Sequence, residues 1–224
     1  MPYQDTWPDI EFLSSYQGRY KGLTLDLGGG RGRISDQLSD AGVNVVVFDI
    51  DRPSLVHAVA RHPAVLGDAH WLPFRDASFD NVVCNFVLEH IQNPSHIAQE
   101  VARVLDQGGH LVVVVPCRRG IPKIFGSFYA KLVHWVGHPG HGHVEIHQNY
   151  SLGDVMTLLE SAHFRVKPAR SGDFVLTSLL ARKYHRFSGV HRVLSRIIET
   201  LHLNFLAVNT EFHCVLEETY TRSL

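Results

Sequence analysis

The chain has 224 residues, 45% of them hydrophobic and 19% charged, with 21 Lys plus Arg against 22 Asp plus Glu. That length suits one compact domain with an insertion, and the hydrophobic share excludes a disordered or collagen-like chain. A formal net charge of -1 argues against a globally basic nucleic-acid binder, so no nucleic-acid partner is expected.

In chain order, residues 23–27 form a short apolar strand that ends in a glycine cluster. Residues 34–38 carry helical spacing, with Gly42 as the stop. A Val-rich second strand covers 43–50, and Pro53 opens a helix whose buried face would be Leu55, Val56 and Val59. Short strands follow at 64–66 and 79–84. Asn93 or Ser95 would cap a helix over Ile97, Val101, Val104 and Leu105, stopped by Gly108 and Gly109. A fifth strand, apolar throughout, spans 111–115 and Pro116 closes it. Strands apolar on both faces and separated by helices predict an α/β fold with a doubly wound, mostly parallel sheet.

After Pro116 the rhythm breaks. Residues 118–150 mix Gly, Pro, His and aromatic residues, which reads as a lid inserted after the fifth strand rather than a second domain. Ser151 with Asp154 would cap a helix burying Val155, Leu158 and Leu159. A sixth strand is expected at 164–166 and a last one at 208–216. Residues 174–206 have helical spacing. The stretch 165–196 carries eight Lys or Arg against Asp173 alone, interleaved with apolar residues. Its default reading is a solvated helix face; the sharper one is peripheral contact with anionic lipid, or with a phosphorylated substrate.

Cys84, Cys117 and Cys214 are far apart and form no C-x-x-C pair, which points to a reducing, cytoplasmic setting. The first residues lack a basic segment followed by an apolar run, and the longest apolar run is far short of the ~18–20 residues a membrane span needs.

The chemistry concentrates at Asp26-Leu27-Gly28-Gly29-Gly30-Arg31-Gly32-Arg33, between a strand and a helix. Glycines there let a ligand approach the backbone, and the helix start offers N–H donors. No Lys-Ser or Lys-Thr follows, so a Walker loop fails. Arg33 stands where a dinucleotide fingerprint needs its third glycine. Asp49, roughly twenty residues on, ends the second strand, where an acid can accept both hydroxyls of a ribose. Asp51 is the alternative acid.

Together with Phe48-Asp49-Ile50-Asp51, Gly67-Asp68-Ala69, Leu72-Pro73-Phe74, Phe79-Asp80-Asn81-Val82-Val83-Cys84-Asn85 and Leu88-Glu89-His90-Ile91, this stretch resembles the class I S-adenosylmethionine-dependent methyltransferases. It is most similar to the type-11 branch that includes the ubiquinone and menaquinone biosynthesis methyltransferases. The resemblance implies that Asp26, Gly28, Gly29 and Gly30 line the methionine end of S-adenosylmethionine, and that Asp49 binds ribose. Ile50 would lie on the adenine face, Asp68 would accept from the adenine amine with Ala69 beside it, and Asn85 would border the sulfonium.

The lid holds His134, His138, His141, His143, His147 and Glu145. Their spacing fits no standard metal template, so no metal site is expected. A hydroxyl acceptor would need a base, for which His143 is the first candidate and His90 the second. The expected activity is methyl transfer to a small-molecule or lipid-linked acceptor, at oxygen in preference to carbon. A nicotinamide oxidoreductase and a non-catalytic cofactor-binding subunit are the two other readings.

Overall fold

Eight strands form one sheet in the computed structural model, which describes residues 21–116, 150–167, 170–174 and 207–218. In chain order the elements are β1 (Leu23–Leu27), α1 (Arg33–Asp40), β2 (Asn44–Asp49), α2 (Arg52–Ala58), β3 (Ala64–Leu66), β4 (Phe79–Asn85), α3 (Pro94–Val104), β5 (Leu105–Pro116), α4 (Leu152–Ser161), β6 (Phe164–Val166), β7 (Arg170–Phe174) and β8 (Ala207–Leu216). A single tight helical turn, Leu88–His90, follows β4.

The sheet order is β3-β2-β1-β4-β5-β8-β6, and β7 pairs with β8 beyond that path. Strands β1 to β5 pair in parallel, while β8 runs antiparallel to β5, β6 and β7. The chain runs outward from β1 through β2 to β3, then returns to β4 on the other side of β1. Open α/β sheets bind ligands at this reversal, beyond the carboxyl ends of the strands. Leu27 is level with Phe48 on one side and Cys84 on the other. The turns after β1, β2 and β4 therefore emerge at one edge.

Alternation along each strand divides the core. Leu25, Leu27, Val82, Cys84, Leu111, Val113 and Val115 face α3 and α4 in the main cluster. Val83 and Val112 face the other way, with Val45 and with Ile34 and Leu38 of α1. Residues such as Leu25 and Leu27 are almost completely buried, and burying each contributes about 1.5–3 kcal/mol. Alternation also puts Asp26 on the α1 face, one residue from each of those leucines.

The expected helix and strand pattern holds for β1 to β6 and β8, with shifts of a few residues at the ends. Ser151 and Asp154 form the anticipated reciprocal cap on α4, which buries Val155, Leu158 and Leu159.

Four local expectations need correction. The short α2 buries Leu55 and Ala58, three residues apart, and leaves Val56 and Val59 on the surface. Asn93 occupies the cap position of α3 without a side-chain bond to the helix, and Ser95 lies within it. Gly108 and Gly109 do not end α3: Leu105 turns extended and starts β5, and the glycines lie where the ladder skips from Phe79↔Leu105 to Asn81↔His110. Phe174 ends β7 rather than starting a helix. The rest of the segment expected to be helical, 175–206, lies outside the described residues. So do residues 118–149 of the expected lid and Cys117. Cys84 and Cys214 are free and buried. Among the described residues, no helix is long and apolar enough to cross a membrane.

Arg103 of α3 ties the segment between β3 and β4 to the core. Its guanidinium donates to the carbonyls of Leu72 and Phe74 at 2.9 and 2.8 Å, and to Glu100 and Asp76. Phe74 is thereby held edge-on to both Phe48 and Phe79. A lysine has the charge but not the planar fork. Arg103→Lys is expected to lower unfolding free energy by about 1–3 kcal/mol, measured by urea denaturation.

Candidate functional site

Three turns meet at the reversal edge. The first is the glycine turn after β1. The Phe48 carbonyl accepts from the N–H groups of Gly28 at 2.7 Å and Gly29 at 3.2 Å. Gly28 adopts φ +72°, and a Cβ there would lie 2.3 Å from Cγ2 of Val87. At Gly29 a Cβ would meet the Asp26 carboxylate at 2.7 Å. Gly30 differs: among the described residues, a Cβ on it would find nothing nearer than Asp49 at 3.8 Å. The turn is thus pressed against its supports at Gly28 and Gly29 and open at Gly30, a cradle for a ligand that approaches backbone.

Asp49 closes that turn. Its Oδ2 accepts from the Gly30 N–H and its Oδ1 from the Asp51 N–H, both at 2.7 Å. A carboxylate has about four acceptor positions, so the bonds from the described residues leave about half of its capacity for a diol. Asp51, the alternative acid, is committed to capping α2, where its carboxylate accepts from the Ser54 N–H. Arg31 is exposed, and its carbonyl accepts from Arg61. Arg33, where a dinucleotide fingerprint has glycine, begins α1.

The second turn brings Asp68 in. The Gly67 N–H donates to the Asp49 carbonyl, which places Asp68 one residue past the tip of β2. The Asp68 carboxylate takes bonds from the backbone and ring nitrogens of His70, and these hold it below the usual carboxylate range. Ile50 is 69% exposed beside it, an apolar surface without a cover among the described residues. Ala69 is half-buried against the main core.

The third turn leaves β4 at the half-buried Asn85, next along from Cys84, and continues through Val87, the wall of Gly28. His90 ends the helical turn there, half-buried, with its N–H on the Val87 carbonyl. The structure therefore gathers Asp26, Gly28, Gly29, Gly30, Asp49, Ile50, Asp68, Ala69, Asn85 and His90 around one edge. His143 and the other lid histidines lie outside the described residues.

Two groups went unnoticed as candidates in the sequence. Ser35 in the first turn of α1 donates its hydroxyl to Asp26 at 2.6 Å. Asp26 is fully buried, so its carboxylate serves the turn from beneath, fixing it to α1. Its sequence signal was an acid on an inward-facing strand position, which demands a partner. Glu89 is buried too, and burial pushes its carboxyl up to about 7. Its signal was weaker, since an acid in an exposed turn looks the same.

Burial likewise pushes Asp26 up to about 6, against the opposing pull of Ser35. Between the ordinary value of 3.8 and about 6 the folded state holds a proton that the unfolded state has lost. Stability then falls as pH rises through that window. Asp26→Asn removes this slope while keeping an oxygen for Ser35. Thermal melts from pH 4 to 7 are expected to show the wild type losing stability relative to the variant as pH rises.

The comparisons with known proteins bear on the fold and the domain. Residues 25–113 match a family described as "Methyltransferase domain". A demethylmenaquinone methyltransferase of Renibacterium salmoninarum is 39% identical over 92 residues, 40% of this chain and 39% of the relative. A malonyl-[acyl-carrier protein] O-methyltransferase of Erwinia billingiae is 37% identical over 106 residues, 47% of this chain and 46% of the relative. The chain thus spans less than half the length of these curated relatives. The crystal structure of a SAM dependent methyltransferase from Archaeoglobus fulgidus shares the fold, with TM-score 0.64 at 16% identity over 92% of this chain and 90% of that one. Residues 25–113 are thus similar to a methyltransferase domain, and the described sheet has the fold of a SAM dependent methyltransferase.

Proposed function

We propose that the protein transfers the methyl group of S-adenosylmethionine to a hydroxyl or carboxyl oxygen of a small-molecule or lipid-linked acceptor. The observation that carries this is the pairing of an open glycine turn at Gly30 with a carboxylate, Asp49, that grips that turn and has acceptor capacity to spare. Asp49 would take the ribose hydroxyls, Ile50 would cover one adenine face, and Asp68 would accept from the adenine amine. Gly28 to Gly30 would lie along the methionine tail, with Asp26 holding the turn from below and Asn85 at its β4 side. When bound, S-adenosylmethionine supplies an electrophilic methyl group on a positively charged sulfur.

The protein's own part in an in-line displacement is to align the acceptor with that methyl group and to keep water out. The region expected to do so follows β5, where residues 118–150 would serve as a lid within the same single domain, with His143 or His90 as the base. The oxygen preference draws support from the Erwinia relative, which is named an O-methyltransferase. The basic stretch 165–196 would bring the protein to an anionic surface if the acceptor is a lipid. Arg165 and Lys167 of that stretch are exposed.

Incubating the protein with methyl-labelled S-adenosylmethionine and a metabolite and lipid extract tests this reading. The expected product is an organic-extractable species whose label is released as iodomethane by hydriodic acid, as an O-methyl group requires. Label that resists release contradicts the oxygen acceptor. No transfer to any extract component contradicts the activity.

A further inference from the structure

Glu89 lies in the helical turn after β4 and is 3% exposed. Its carboxylate takes a bond from its own backbone N–H, and Oε2 has no hydrogen-bond partner among the described residues. A carboxylate out of water stays ionised only at high cost unless a cation or a set of donors faces it.

Among the described residues, the groups that feel its charge are a thiol and a phenol. From β4, the Cys84 thiol is pushed up by burial first and by the Glu89 charge second, with Asp26 of β1 adding to the same effect. From the approach to α4, the Tyr150 phenol is pushed up by burial, then by Glu89 and Asp154. The Tyr150 hydroxyl is spent on the Leu88 carbonyl at 3.2 Å. His90, the next residue, is the one basic neighbour in the turn itself.

Val87, two residues before Glu89, forms the wall that a Cβ on Gly28 would strike at 2.3 Å. The unpaired carboxylate therefore sits in the turn that abuts the methionine end of the glycine cradle. That end of the donor carries a permanent positive charge on sulfur, and the demethylated product carries none there.

We propose that Glu89 is the counter-ion of the donor's sulfonium and lets the site distinguish S-adenosylmethionine from S-adenosylhomocysteine. The role rests on the cofactor site described above. Burial favours the protonated carboxyl, pushed up to about 7. A sulfonium favours the ionised form, so the protein releases a proton when the donor binds near neutral pH. Loss of the methyl group removes the charge that held the carboxylate ionised. Glu89 then takes a proton back, and the product is held less tightly than the donor.

Isothermal titration calorimetry on the full chain and on Glu89→Gln tests this. S-adenosylmethionine and S-adenosylhomocysteine are the two ligands, each measured at pH 7 in two buffers of different ionisation enthalpy. In the wild type, proton release is expected with the donor and not with the product. Glu89→Gln is expected to weaken the donor about tenfold, the effect of one pKa step between neighbouring charges. Product affinity should change by less than about twofold, which also reports that the variant is folded. Equal weakening of both ligands, or an unchanged donor-to-product ratio, overturns the role of Glu89 alone. Failure of the wild type to bind either ligand overturns the cofactor site and this role together.

Discussion

The Asp49 carboxylate joins three pieces of structure that sequence separates. It ends β2, holds the glycine turn after β1 through Gly30, and starts the approach to α2 through Asp51, with 2.7 Å bonds to both backbone N–H groups. Its own carbonyl takes the Gly67 N–H and so fixes the turn after β3. Everything proposed for the adenosine half of the ligand depends on this one side chain keeping two backbone turns apart and in register. Underneath, Asp26 and Ser35 tie the same glycine turn to α1. The turn is thus fixed from below and from the side, and open above Gly30 among the described residues.

The edge is acidic. Asp26, Asp49, Asp68 and Glu89 converge there. Burial keeps Asp26 and Glu89 at the protonated end of their range, while His70 keeps Asp68 at the ionised end. Carboxylates of such different character suit a ligand that is itself uneven, with hydroxyls, an amine and a sulfonium at separate points.

Most of the parallel sheet was legible because each strand is a short β-branched or leucine run bounded by Gly, Asp or Pro. The glycine turn and Asp49 were legible because their spacing is set by one strand–helix–strand unit. The failures have physical causes. In α2, Val56 and Val59 looked inward by composition, yet a helix of seven residues has one inward stripe, and Leu55 with Ala58 fills it. Leu105 continues the period of Val101, but pairing with Phe79 draws it into β5. Strand β7, Arg-Ser-Gly-Asp-Phe, has no apolar alternation and forms through backbone pairing with β8. Glu89 was visible as a letter in a motif, while Tyr150, which packs onto its turn through the Leu88 carbonyl, is distant in sequence. The family match ends at residue 113, just before the segment where acceptor choice is expected. The cofactor half of the site was therefore readable and the acceptor half was not.

The most direct measurement is a crystal structure of the protein grown with S-adenosylhomocysteine. Ribose oxygens within hydrogen-bond distance of Asp49, with the amino-acid tail running along Gly28 to Gly30, are the expected result. A ligand seated away from this edge, or one whose ribose makes no bond to Asp49, contradicts the central claim.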